Sequence, residues 1–172
     1  MSKQFKTVTP STLSRDAFVS TFADIYEHSA WLAENAYDRG LDSSHDQIEG
    51  LHQLMADILL GSDHQAQLDL INAHPDLAGK AAVRGELTEA STNEQAGAGI
   101  SERSAEEFER FTRLNDAYKA KFGFPFIMAV KGSNRYQILD AFEKRIHNSE
   151  DEEFERALQE INKIALFRLN DM

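Results

Sequence analysis

The chain has 172 residues, 41% of them hydrophobic and 27% charged, a formal charge of −11 and no cysteine. That length and balance suit one globular domain, and the absence of cysteine excludes disulfides, thiolate metal sites and cysteine nucleophiles. The acidic balance argues against nucleic acid or an anionic membrane as partner, because both need a basic surface.

From the N-terminus, Met1 to Pro10 carries two lysines with no apolar stretch behind them, so it does not read as a secretory leader. Ser14 can cap a first helix whose Phe18, Phe22, Ile25 and Tyr26 fall at helical spacing, and a shorter helix covers Trp31 to Tyr37 until Gly40. Ile48, Leu51, Leu54, Met55, Ile58 and Leu59 form a broad apolar stripe, with Ser43 or Ser44 available as its cap and Gly61 after its end. A fourth helix, about Asp63 to Ala73, must stop near Pro75, because the residue before a proline is pushed out of helical geometry. Ser104 with Glu107, and Ser149 with Glu152, have capping-box spacing and open helices over about 104–122 and 150–170. Between them, Ser133 or Asn134 can cap a helix running to about His147.

Phe124 to Val130 is apolar on every side. It reads either as a buried strand, whose unmatched backbone groups would be free for a ligand, or as a short buried helix started by Pro125. Nowhere do about 18 apolar residues run together, and Asn170-Asp171-Met172 is not a peroxisomal address. The expectation is an all-α, single-domain multi-helix bundle over 1–172 with one extended or irregular apolar segment near 124–131, located in the cytoplasm.

Several residues can carry chemistry. His74-Pro75-Asp76-Leu77-Ala78-Gly79-Lys80 superficially suggests a phosphate loop, but that motif needs glycine where His74 stands and Ser or Thr where Ala81 stands. What remains is a histidine following Ile71 by three residues and Leu70 by four, on the apolar side of its helix. It is either a hydrogen-bonded core residue or a proton-transfer group, a role suited to a side chain that titrates near neutrality. A helix C-terminus favours its charged form. Ser91-Thr92-Asn93-Glu94-Gln95 has capping-box spacing, so Glu94 reads locally as a cap; the following Ala96-Gly97-Ala98-Gly99 permits close approach of a ligand or another backbone. Arg168 follows Ile161, Ile164 and Ala165 by seven, four and three residues, which puts it on the core face of the last helix. It can pair with an acid, stack, snorkel or grip a carboxylate through two hydrogen bonds. Arg113, Arg135, Arg145 and Lys131 read as surface or structural charges. Glu49-Gly50-Leu51-His52 has the spacing of helical carboxylate-bridged metal sites, but those need two copies and there is one. A serine hydrolase elbow is absent.

Three blocks together, His74 to Lys80, Ser91 to Gly99, and Leu114-Asn115-Asp116-Ala117-Tyr118-Lys119-Ala120-Lys121-Phe122-Gly123-Phe124-Pro125-Phe126-Ile127, resemble the 2-oxo-4-hydroxy-4-carboxy-5-ureidoimidazoline (OHCU) decarboxylase family over nearly the whole chain. The resemblance implies an all-helical enzyme, usually a homodimer, that uses no metal or organic cofactor and converts a small ureide to (S)-allantoin and carbon dioxide. It implies that His74, Glu94 and Arg168 are catalytic and that Pro75, Ser91, Gln95, Phe126, Ile127, Met128, Ala129 and Val130 contact the substrate. Lys80 stands where many members have arginine. Two rivals remain at this stage: a helical interaction module docking a partner on Phe124 to Val130, and a pocket that binds a ureide without chemistry.

Overall fold

The computed structural model describes residues 3–77, 88–99 and 105–172. Among the described residues are eight α-helices and no strand, only an isolated bridge between Gln4 and Gln47. In chain order they are α1 (Arg15–Phe22), α2 (Ala30–Asp38), α3 (Ile48–Leu60), α4 (His64–Ala73), α5 (Glu89–Gly97), α6 (Ala105–Phe122), α7 (Arg135–Arg145) and α8 (Glu150–Asn170). No helix among the described residues is long and apolar enough to cross a membrane. The chain forms two compact units: one holds the chain up to Ala73 with Asn162–Met172, the other His74–Ile161.

In the first unit, Ser14 caps α1 as its spacing predicts, its hydroxyl accepting the Ala17 N–H at 3.2 Å. The helix ends at Phe22, one turn short of the apolar period, so Ile25 and Tyr26 are buried from a turn rather than from helix. A buried phenol needs a partner, and the Tyr26 hydroxyl donates to Asn162 Oδ1 at 2.8 Å. Burial pushes that hydroxyl's pKa well above its ordinary value. Phe18 and Phe22 pack ring against ring, with centroids 4.8 Å apart, and Phe5 meets Phe22 edge-on at 5.5 Å.

α3 buries Ile48, Leu51, Met55, Ile58 and Leu59. Neither Ser43 nor Ser44 caps it: both lie in a 3-10 turn, Ser43–Asp46, capped by Asp42, whose Oδ1 accepts the Ser44 N–H at 2.8 Å. That turn rests directly on the helix. A Cβ at Gly50 would stand 2.0 Å from the Ser44 carbonyl oxygen, so only glycine admits this approach. In the neighbouring Glu49-x-x-His52 pair, His52 is already engaged, its Nε2 donating to the Asn162 carbonyl at 2.8 Å. α4 is capped by Asp63, which accepts the Ala66 N–H at 2.7 Å, and stops before Pro75.

In the second unit an aromatic cluster of Phe111, Tyr118, Phe122, Phe124, Phe126 and Phe142 is buried, with Phe126 stacked on Phe142 at 3.8 Å. Capping boxes open both of the last two helices, and of these the Ser149–Glu152 box is the one its spacing predicts. Asn134 and Gln137 open α7, which ends at Arg145 rather than His147. Ser149 and Glu152 exchange 3.1 Å bonds at the start of α8, and these bonds hold the Glu152 carboxyl below its usual range. Ser104 lies outside the described residues; Glu107, its expected box partner, accepts from Arg135 Nε at 2.8 Å.

Candidate active site

His74 follows α4 immediately, at a bend imposed by Pro75, and only 9% of it is exposed. A bend leaves backbone carbonyls without helical partners, and buried ones must be matched by other groups. Side chains of two helices do this. Gln95 Nε2 on α5 donates to the Asp76 carbonyl at 3.4 Å, and Asn115 Nδ2 on α6 donates to the Leu77 carbonyl at 2.9 Å. Lys119, one turn beyond Asn115, meets the Asp76 carboxylate at 2.6 Å. The His-Pro-Asp-Leu segment, the Ser-x-x-Glu-Gln helix and the Leu-Asn-Asp-Ala-Tyr helix are thereby joined in one unit. Ala78, Gly79, Lys80 and Ala81 lie outside the described residues.

Replacing Asn115 with leucine removes its Nδ2 donor from the Leu77 carbonyl while filling a similar volume. The unfolding free energy is expected to fall by about 1–3 kcal/mol, the cost of an unmatched buried acceptor. A urea midpoint indistinguishable from that of the unmodified protein would show that the Leu77 carbonyl finds another donor.

On α5 the local grammar is corrected. Thr88, not Ser91, is the cap: its hydroxyl accepts the Ser91 N–H at 3.2 Å, which places Ser91 inside the first turn. The Ser91–Glu94 capping box is therefore not what positions Glu94. Ser91 and Gln95 form the buried face of α5, Ala98 is buried just past its end, and Glu94 stands half-buried beside them. A helix whose buried face is a serine and a glutamine presents hydrogen-bonding groups where a packing helix would present leucines.

Phe124 to Val130 is neither strand nor helix. Phe124, Pro125, Phe126, Ile127 and Val130 are buried, whereas Met128 and Ala129 are half-buried. Two of its backbone groups are held by charged side chains: Arg145 Nη1 donates to the Ile127 carbonyl at 2.7 Å, and Glu160 Oε1 accepts the Ala129 N–H at 3.1 Å. These two groups are thus matched within the protein rather than left for a ligand.

Arg168 lies in the first unit, buried as the helical arithmetic predicts. Its Nη1 donates to the Asp24 and Ile25 carbonyls at 3.2 and 3.4 Å, and its Nη2 lies 3.7 Å from the buried Glu27 carboxylate. Pairing with an acid, one of its alternatives, is realised. Among the described residues no group of three or more His, Asp or Glu could hold a metal ion.

The profile of the OHCU decarboxylase family matches residues 11–170. The chain belongs to the OHCU decarboxylase family. Its members act as decarboxylases, carbon–carbon lyases, and the chain is an enzyme of that class. The 2-oxo-4-hydroxy-4-carboxy-5-ureidoimidazoline decarboxylase of Halalkalicoccus jeotgali is 42% identical over 92% of this chain and 86% of its own. The Xenopus laevis protein of the same name is 33% identical over 95% and 92%. The uric acid degradation bifunctional protein PucL of Bacillus subtilis is 38% identical over 93% of this chain but only 31% of its own. Among solved structures, an (S)-allantoin synthase superposes with a TM-score of 0.72 at 31% identity, covering 94% of this chain and 51% of that one. An OHCU decarboxylase crystallised in the presence of (S)-allantoin gives 0.66 at 26% identity, covering 83% and 90%.

Within this OHCU decarboxylase family member, Asn115 and Glu160 are among the buried polar residues that the sequence reading did not single out, and Arg145, read there as a surface or structural charge, is buried as well. A signal for each was present. Asn115 falls between Phe111 and Tyr118 on the buried stripe of α6, Arg145 follows Ile138 by seven and Phe142 by three on α7, and Glu160 follows Ala157 by three on α8. Polar residues on an apolar stripe are the ones that must find buried partners.

Proposed function

We propose that the protein converts 2-oxo-4-hydroxy-4-carboxy-5-ureidoimidazoline to (S)-allantoin and carbon dioxide, as one catalytic domain over 1–172 working as a cytoplasmic homodimer. The observation that carries the reading is the family match over residues 11–170, which takes in all three sequence blocks. Their hydrogen-bonded meeting around Asp76 and Leu77 supports it.

The reaction needs no external electron sink. Carboxylate and hydroxyl share one ring carbon, and the adjacent carbon belongs to a C=N group. When the carbon–carboxylate bond breaks, its electron pair forms a double bond between the two ring carbons, and the displaced C=N electrons take a proton on nitrogen. The hydroxyl proton then leaves as the ring carbonyl forms, and a proton is delivered to the ureide-bearing carbon. Delivery to one face gives the (S) product. In this mechanism His74, with Glu94, manages the hydroxyl proton and hydrogen-bonds the ureide. Arg168 orients the carboxylate, and Pro75, Ser91, Gln95 and Phe126 to Val130 line the substrate. General acid–base help contributes on the order of 10²–10⁴-fold, the rest coming from orientation. Arg168 enters through the family resemblance alone, and the reading requires its guanidinium to engage substrate in addition to Glu27.

The test generates the unstable substrate in situ with urate oxidase and hydroxyisourate hydrolase and follows chiral allantoin by circular dichroism. Addition of the protein should accelerate the appearance of a single enantiomer. A racemic product formed at the spontaneous rate would sink the reading. Light scattering on the same preparation should give twice the 19.4 kDa chain mass; a monomer that is fully active would remove the dimer from the proposal.

A further inference from the structure

We propose that Glu160 and Arg145 are positioning residues for this reaction, fixing through its backbone the irregular segment Phe126 to Val130 in the shape that receives the ureide. The proposal rests on the reading above, in which that segment contacts substrate.

A segment without helix or strand has no repeating hydrogen bonds to set its peptide planes, and such segments normally run over the surface, where water serves their backbone groups. This one is mostly buried. Two backbone groups only two residues apart are instead met by two buried charged side chains, Arg145 on the Ile127 carbonyl at 2.7 Å and Glu160 on the Ala129 N–H at 3.1 Å. Burying charge is costly unless it is paired and hydrogen-bonded, and here both are. Arg145 Nε donates to Glu153 Oε1 at 2.9 Å, and its guanidinium lies over the Phe126 ring at 4.3 Å. Glu160 Oε2 accepts from the half-exposed Arg156 at 3.3 Å. Apolar side chains could fill the same space, but they could not orient a carbonyl and an amide. The residue between the two held groups is Met128, and it and Ala129 are the half-buried part of the segment. A ureide with several N–H and C=O groups needs its wall held to within fractions of an ångström.

The test is a Glu160 series assayed with substrate generated in situ. In Glu160→Asp the carboxylate is one methylene short of the Ala129 N–H while its charge is kept. In Glu160→Gln an acceptor oxygen remains at full reach, and the exposed Arg156 turns to solvent. If the hydrogen bond to Ala129 positions the wall, Glu160→Asp and Glu160→Ala raise KM on the order of tenfold, with kcat within about threefold, whereas Glu160→Gln keeps the unmodified KM. A KM unchanged in Glu160→Asp overturns the proposal, as does a Glu160→Gln variant as impaired as Glu160→Asp, which would assign the effect to charge. The Ala129 amide must also exchange slowly in the unmodified protein, and fast exchange overturns the proposal whether or not any variant folds. An unmodified protein that fails to accelerate allantoin formation sinks the decarboxylation reading instead, so the two failures are distinct.

Discussion

His74→Asn is expected to lower kcat by roughly 10²–10⁴-fold, the typical loss when a positioned general acid–base group is removed. Asparagine is close to histidine in size and can hydrogen-bond from a similar position, but it cannot take up and return a proton near neutral pH. The substitution therefore separates a packing role from a proton-transfer role. A histidine that merely fills the bend after α4 would tolerate it with little change in rate. Whatever acceleration survives over spontaneous decay reports orientation by the remaining pocket, and its enantiomeric excess reports whether proton delivery still chooses a face. A wild-type rate in His74→Asn would end the assignment of proton transfer to this residue. The Asn115 and Gln95 bonds to the adjoining carbonyls are what keep the bend in place while the side chain is changed.

Much of the helical framework is readable in the sequence because caps and apolar periods are local. Ser14, Asn134, and Ser149 with Glu152 act where their spacing places them, and Pro75 ends α4 by sterics alone. The misreadings have local causes too. Ile25 and Tyr26 continue the period of α1, but periodicity reports which side is buried, not whether the backbone is still helical, and here a turn buries the same side. At α5 two overlapping caps compete, Thr88 and Ser91, and the one three residues earlier wins because helix begins at Glu89. Phe124 to Val130 defeats the choice between strand and helix, since what satisfies its backbone comes from side chains 18 and 31 residues away.

The site was legible in a different sense. His74 and Arg168 lie on apolar faces by helical arithmetic, and both are buried. Their roles came from the resemblance, since the same arithmetic applied to Arg145 finds a residue whose partners are a structural carboxylate and a backbone carbonyl. Burial of a charge marks it as important to the fold or to the chemistry without deciding which.

That distinction sets the second large effect. Arg145→Met should destabilise the protein by about 3–5 kcal/mol, because it leaves the Glu153 carboxylate buried without its counter-charge. Glu153 is fully buried and accepts from Arg145 Nε at 2.9 Å, from the Tyr118 hydroxyl at 2.6 Å and from Asn148 at 2.9 Å. Burial, followed by the hydrogen bond to Glu153, pushes the Tyr118 hydroxyl well above its ordinary pKa, so it stays a donor. Two neutral donors remain on the carboxylate when the guanidinium is gone, and neither balances its charge. Glu153→Leu alone makes the converse error, leaving the arginine and the Tyr118 hydroxyl without their acceptor. The double variant Arg145→Met/Glu153→Leu removes both charges together and should be less destabilised than the sum of the singles by about 1–3 kcal/mol, a coupling readable from urea midpoints. Strict additivity would mean that the pair is not coupled. The double variant also parts stability from positioning: it recovers stability relative to Arg145→Met, yet still lacks the donor for the Ile127 carbonyl. If that donor shapes the wall against which substrate sits, the recovered protein keeps a raised KM; if Arg145 serves only the fold, KM recovers with the midpoint.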